Sequence, residues 1–382
     1  MSLICSTDFI RAALCLAFHD ALNGSQRIAL ARSVADPTHA RLKTPPRNCQ
    51  LSPAVWEAWL KVPAHIEEWV QASSGWLDAN HEHQLLSFWD AAYPQTLRQL
   101  PSPPMLLFLL GDVSLLNDKG IAMVGSRGAT LSGKRRARDF SAELAKKGWT
   151  IISGLAKGID SAAHVGALQV HGKTIAVLGC GVDVVYPTEN SALYEKIQAS
   201  GGLLVSEYPP GTPPRPVFFP RRNRLIAALC KGLVVVEAAT RSGSLITANI
   251  ANDLGKSVMA IPGSIDSPQA RGCHQAIRAG ATLVETIQDI EQEVLESEPD
   301  QQRLKTKKTR SNPGKNDTAS GQVTAADSLS SHVLRLLQRD PQQLDLLIEA
   351  TGCSPEDLSV ALCEMELQGQ IEARPGQYWA MT

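Results

Sequence analysis

Residues 218–248, FFPRRNRLIAALCKGLVVVEAATRSGSLITA, hold a helix, a strand and the start of a second helix, and their reading decides the fold. Arg221, Arg222 and Arg224 fall in the first turn of a helix, Leu233 to Val236 form an apolar strand, and Ser242-Gly243-Ser244 opens the next helix. A helix start presents unpaired backbone N–H groups and a guanidinium fork matches phosphate geometry, so the stretch reads as an anion site. The glycine between the two serines lets a ligand approach the backbone closely.

The same alternation extends in both directions. Apolar runs recur at 121–124, 150–152, 174–178, 203–205, 233–236, 258–261 and 282–284, separated by amphipathic stretches at 132–147, 160–170, 191–199, 222–230 and 244–254. Near-continuous apolar strands alternating with helices predict a parallel sheet covered on both faces, an α/β doubly wound fold. Most of these strands end in small or charged residues: Gly125-Ser126-Arg127, Ser153-Gly154, Gly179-Cys180-Gly181, Ser206-Glu207, Glu237 and Pro262-Gly263. Such sheets bind ligands outside the carboxyl ends of their strands, so these loops are expected to converge on one crevice. The loop GSRG at 125–128 lacks the GxGxxG fingerprint and GCGVD at 179–183 matches it only in part, so no dinucleotide cofactor is expected.

Outside this centre the pattern changes. Residues 1–92 read as a small helical N-terminal domain, with helices at 8–23 and 53–73 and five tryptophans (Trp56, Trp59, Trp69, Trp76, Trp89) as its core. The sheet domain follows over 93–295, and 296–327, rich in Glu, Lys, Ser, Gly and Gln, predicts a flexible linker. The linker run RLKTKKTR at 303–310 reads as a solvated face or a nucleic-acid contact. Over 328–382, amphipathic segments at 328–339, 344–350 and 355–368 and a hairpin over 371–379 predict a winged-helix-like domain. Its third helix carries Glu356, Asp357, Glu364 and Glu366 and no basic side chain, so it repels phosphate and is expected to contact protein.

The net charge of −1 conceals an uneven distribution: residues 93–290 hold 21 Lys+Arg against 14 Asp+Glu, a net +7, whereas 1–92 stand at −2 and 341–382 at −6. A polyanionic partner is therefore expected in the middle of the chain. Eight cysteines without a CxxC pair or a Cys/His cluster read as reduced thiols of a cytoplasmic protein, with no metal site. No apolar run approaches the ~18 residues of a membrane span and no leader pattern is visible, so no membrane partner is expected.

The number of phosphates separates the possible ligands. Arg127, Arg221, Arg222 and Arg224 exceed what one mononucleotide phosphate needs. Lys134, Arg135, Arg136 and Arg138 either extend them into a basic track or form an ordinary solvated helix face. A recessed crevice excludes a duplex but admits an extended single strand, for which Phe218, Phe219 and Tyr208 are stacking platforms if they are not core. Asn223 bonds a base edge or a phosphate, or caps its helix. Asp160, Asp183, Glu207 and Glu237 follow strands and are either general acids and bases, or a helix cap (Asp160) and partners of arginines (the others). No Ser/His/Asp set or paired-carboxylate spacing is recognisable, so no catalytic residue is assigned; His164 and His274 are expected to bond nearby backbone.

These motifs together resemble one family. MVGSR at 123–127, SGLAKGID at 153–160, GCGVDVVYP at 179–187, SEYPPG at 206–211, FPRRNRLIAAL at 219–229, VEA at 236–238, SGSLITA at 242–248, IPGS at 261–264 and GCHQAIRAGA at 272–281 occur in the order seen in DprA/Smf proteins. The resemblance spans residues 93–290, about half the chain. It implies a Rossmann-like sheet domain that binds single-stranded DNA, protects incoming strands in natural transformation and helps load the RecA recombinase, as a dimer and without catalysis. By motif position it places the DNA contacts on Ser126, Arg127, Arg222, Asn223, Arg224, Ser242, Gly243 and Ser244, with Lys157 beside them. Thr188-Glu189 follow Tyr186-Pro187 where relatives carry a basic residue, so no phosphate contact is expected from that loop. The same fold group contains phosphoribohydrolases, which make a nucleotide-processing enzyme using Glu237 the alternative; their PGGxGTxxE motif is absent.

Overall fold

The computed structural model describes residues 6–41 and 51–296, and within the C-terminal part helical positions between 333 and 362 and the strands at 371–374 and 377–380. Two compact units divide the chain, Met1–Gln301 and Gln302–Thr382. The expected linker beyond residue 296, its basic run and the four acidic residues Glu356, Asp357, Glu364 and Glu366 lie outside the described residues.

The N-terminal helices are α1 (Thr7–Phe18), α2 (Gly24–Ser33), α3 (Pro53–Leu60) and α4 (Ala64–Ala79). The helix expected over 8–23 stops at Phe18 because Asn23 caps α2. Its side chain accepts from Gln26 N at 2.8 Å while the Gln26 side chain accepts from Asn23 N at 3.0 Å, a capping box. The helix expected over 53–73 is split before α4 by Pro63, whose missing N–H is harmless only at a helix start. The tryptophans act as packing: Trp59 is buried and donates Nε1–H to Ala40 O at 3.0 Å, and Trp76 meets Phe108 of the sheet edge-on, with centroids 6.1 Å apart. One hydrophobic core runs without interruption from these helices into the sheet.

There follow β1 (His83–Ser87), α5 (Gln95–Arg98), β2 (Leu106–Gly111), β3 (Gly120–Val124), α6 (Leu131–Lys146), β4 (Thr150–Ser153), α7 (Ile159–Gln169), β5 (Thr174–Leu178), α8 (Ser191–Ala199) and β6 (Leu203–Ser206). The unit closes with α9 (Phe218–Leu229), β7 (Gly232–Val235), α10 (Gly243–Asp253), β8 (Ser257–Ala260), α11 (Arg271–Arg278), β9 (Thr282–Leu283) and α12 (Ile287–Glu296). All nine strands form one sheet in the order β1-β2-β6-β5-β4-β3-β7-β8-β9, parallel from β6 to β9. All seven expected strands are present. The antiparallel edge β1–β2 was not anticipated, because LLFLLG is uniformly apolar and such a run does not distinguish a buried strand from a helix.

Residues of the central strands alternate between two buried faces. Ile121, Met123, Val234, Val236, Met259 and Ile261 pack with residues of α6, α7 and α12, whereas Ala122, Val124, Leu233, Val235 and Ala260 pack with residues of α9 and α10. From β3 the chain winds outward through β4, β5 and β6, and then from the other side of β3 through β7, β8 and β9. Strand order thus reverses between β3 and β7, and their diverging carboxyl-end loops open a crevice there.

In the C-terminal unit, Val333, Leu337, Leu347, Leu358 and Leu362 form a buried cluster. The hairpin β10 (Ile371–Arg374) and β11 (Gln377–Ala380) pairs Ile371 with Ala380. These are the helical and wing elements of the expected winged helix. Among the described residues no helix is long and apolar enough to cross a membrane.

Candidate functional site

The loop after β3 is gripped from two sides. Ser126 N donates to Glu237 O at the end of β7 (2.7 Å), and Ser126 O accepts from Ile159 N at the start of α7 (3.2 Å). Gly158, at φ +85°, makes this possible: a Cβ there would lie 2.2 Å from Ser126 O. Thr130 caps α6 by accepting from Gly133 N (2.9 Å), and the Glu237 carboxylate accepts both the Thr130 hydroxyl (2.6 Å) and the Thr130 N–H (2.9 Å). The peptides carrying Arg127 are therefore fixed, while its side chain is exposed, with the guanidinium 5.5 Å over the Phe219 ring and no ion-pair partner among the described residues. A preoriented, uncompensated guanidinium is suited to an incoming anion.

The opposite wall is the β7–α10 turn. Ser242 caps α10, accepting from Ser244 N at 3.3 Å, and the two hydroxyls lie 2.6 Å apart. A Cβ on Gly243 would meet no atom within 4 Å, so packing does not demand a glycine here; its absence of a side chain leaves this wall bare. Asn223 binds both neighbours, accepting from Arg222 Nε (3.2 Å) and donating to Gly243 O (3.4 Å), so it joins α9 to the turn rather than capping its helix. The crevice has a volume of about 580 Å³. Ser126, Arg127, Arg222, Asn223, Ser242, Gly243 and Ser244 all line it; Lys157 and Arg224 do not.

Three of the expected phosphate ligands therefore have other roles. Arg222 is only 4% exposed, and its guanidinium donates to Gly154 O (2.7 Å) and Val177 O, bracing the ends of β4 and β5 beneath the crevice. Gly154 is required there, since a Cβ would lie 2.6 Å from that guanidinium. Burial lowers the Arg222 pKa and raises that of Asp160, and each charge opposes the shift of the other. Arg222 thus supplies positive potential to the floor and no free fork. Arg224 pairs with Glu207 away from the crevice. Lys157 pairs at 2.5 Å with Glu189.

Each of the four carboxylates has a structural contact, with three corrections to the expected partners. Glu207 holds an arginine, as expected, whereas Asp160, expected to cap its helix, lies inside α7 and accepts from Gly154 N in the preceding loop (3.1 Å), and Gly158 at the helix start gives no side-chain cap. Asp183 and Glu237, expected to orient arginines, instead accept hydrogen bonds from Gly211 N and from Thr130. His164 bonds a side chain rather than backbone: the Thr174 hydroxyl donates to Ile151 O, so the His164 Nδ1–H donates to that hydroxyl (2.7 Å). Burial, reinforced by Arg222, pushes the His164 pKa down to about 3. His274 bonds the Gly263 backbone as expected. Among the described residues no group of His, Cys, Asp and Glu could hold a metal ion.

The aromatic residues also sort differently. Tyr208 is buried and stacked on Phe218 (4.1 Å), which makes both part of the protein's own packing. Phe219 lies between Arg127 and Tyr186, whose ring is 5.4 Å away and 42% exposed. Tyr186 was absent from the expected stacking residues. Its position in the β5-end loop GCGVDVVYP was the available signal, since the start of that loop, Gly179-Cys180-Gly181, was itself read as crevice wall.

The family model described as DNA recombination-mediator protein A matches residues 84–295, and that described as DprA winged helix domain matches 317–377. The protein Smf of Synechocystis sp. is 36% identical over 316 residues, 77% of this chain and 79% of its own length. The X-ray structure of DNA processing protein A from Streptococcus pneumoniae superposes with a TM-score of 0.61 at 36% identity, covering 75% of this chain and 97% of that one. A structure of DNA processing protein A from Helicobacter pylori, concerned with its single-stranded DNA binding mode, gives a TM-score of 0.51 at 30% identity over 56% of this chain and 96% of that one.

Proposed function

The chain belongs to the DprA/Smf family of DNA-processing proteins, and from that premise we propose that its crevice binds the backbone of single-stranded DNA. The observation that carries the proposal is Arg127: its loop is locked, its guanidinium is exposed and without an ion-pair partner among the described residues, and it lines the same crevice as the bare Ser242-Gly243-Ser244 turn. Phosphates lie against Arg127 and the serine hydroxyls over the positive floor of Arg222, while bases stack toward Phe219 and Tyr186. The Helicobacter pylori relative's single-stranded DNA binding mode supports the choice of ligand.

The role that follows is to coat incoming strands and help load the RecA recombinase in natural transformation, as a homodimer in the cytoplasm. Family membership supports that role. The commitment of both Glu237 oxygens to Thr130 supports a binding protein over a phosphoribohydrolase.

Fluorescence anisotropy with oligo-dT tests the site. Arg127→Ala is expected to weaken binding about tenfold or more and to lower the salt slope by ~0.7 for each phosphate left without its cation. Undiminished binding by Arg127→Ala, or equal affinity for duplex and single strand, would refute the assignment.

A further inference from the structure

A second depression of about 720 Å³ lies between α6, α7 and α8. Along α6, Leu131, Lys134, Arg135 and Arg138 line it at spacings i, i+3, i+4 and i+7, a single helical stripe. A second stripe, Gly133, Ala137, Ser141 and Leu144, is buried. Lys196 of α8 supplies a fourth cation from the facing wall. Lys134, Arg135 and Lys196 are exposed and have no ion-pair partner among the described residues, and Arg138 pairs with Asp139 at 3.2 Å, outside the lining. Glu189 also lines the groove, and Lys157 neutralises it. Leu131, 87% exposed, stands at the groove.

This groove adjoins the crevice. Ala156 lines the crevice and Gly158 lines the groove, and the Gly158 backbone lies directly against the Ser126 and Arg127 carbonyls. The two spaces thus stand on either side of one short loop, with Arg127 at the crevice side and four cations beyond. Repulsion among uncompensated like charges is unfavourable in the free protein and is relieved by a polyanion.

We infer that the α6–α7–α8 groove is a second subsite for the DNA strand, holding the phosphates that follow those bound in the crevice. Lys134, Arg135 and Lys196 contact the phosphates, and the apolar side chain of Leu131 lies against a sugar or base face. The inference rests on the crevice reading and extends the footprint beyond it. Of the basic helix read in the sequence as either a track or a solvated face, this makes Lys134, Arg135 and Arg138 the track and Arg136, which does not line the groove, the solvated face.

Oligomer length provides the test. With full-length protein, oligo-dT of about 6 and about 15 nucleotides brackets common single-strand site sizes. The variant Lys134→Ala/Arg135→Ala/Lys196→Ala should bind the short oligomer as wild type does. On the long one it should lose roughly a hundredfold at about 0.1 M salt, with a salt slope smaller by ~2, as three phosphates without their cations require. Arg136→Ala, a charge removed from the same helix outside the groove, should leave both affinities within about twofold. Unchanged binding of the long oligomer, equal losses on both lengths, or a loss from Arg136→Ala matching the per-charge loss of the triple variant would each overturn the subsite. Failure of the crevice reading looks different: the wild type would then not bind the short oligomer, or would bind it independently of Arg127, and the subsite would fall with it.

Discussion

Arg127 and Arg222 carry the same guanidinium and line the same crevice, yet one faces the opening and the other holds the floor together. Their substitutions should separate accordingly. Arg222→Ala leaves Asp160 buried without its counter-charge and two strand-end carbonyls without a donor, so urea unfolding should show a loss of about 3–5 kcal/mol. Arg127→Ala should change stability by less than about 0.5 kcal/mol while binding falls. His164 supplies a pH signature at the same scale. Its folded pKa is depressed to about 3 by burial, so above the unfolded value of about 6.5 both states are neutral and its contribution is fully present. As pH falls below that value the unfolded chain takes up a proton that the folded protein refuses, and stability drops. Between pH 6.5 and 5 this amounts to about 2 kcal/mol. Urea midpoints across this range should show the slope, and His164→Gln should flatten it; an equal slope in the variant would place the titration elsewhere.

At the scale of elements, the loop that presents Arg127 is held by a residue on another strand. Glu237, at the end of β7, receives the N-cap residue of α6 through two hydrogen bonds, and a carboxylate at a helix N-terminus also complements the helix dipole. The packing that results makes a testable reversal of sign. Gly133 lies inside α6, where helix propensity alone predicts that Gly133→Ala stabilises by about 1 kcal/mol. A Cβ at that position would lie 2.2 Å from the Glu237 carboxyl carbon and within 2.5 Å of both oxygens, so the carboxylate must leave Thr130. We therefore expect Gly133→Ala to lower Tm and to weaken oligo-dT binding together. A raised Tm with binding intact would show that the cap does not position the loop.

At the scale of the whole molecule, every residue lining the crevice falls between Val124 and Gln269, inside the first compact unit. Protein truncated after Gln301 should therefore retain most of its affinity for single strands. If binding vanished, the winged-helix unit and not the crevice would be the DNA contact. Seven of the nine strands, the doubly wound topology and the convergence of strand ends were legible in the sequence, because they follow from local hydrophobic periodicity and from connection rules that act between neighbouring elements. The β1–β2 edge was not, since a uniformly apolar run has no period to read. Nor were the fates of Arg222, Arg224 and Glu237, whose partners Val177, Glu207 and Thr130 lie 45, 17 and 107 residues away. Residue chemistry alone determined that this chain builds a parallel sheet whose strand ends, carrying arginines and small residues, meet at a crevice. Which guanidinium faces the ligand and which is buried as a brace depended on what the fold places against each one, and burial of a charge is set by contacts between segments distant in the chain.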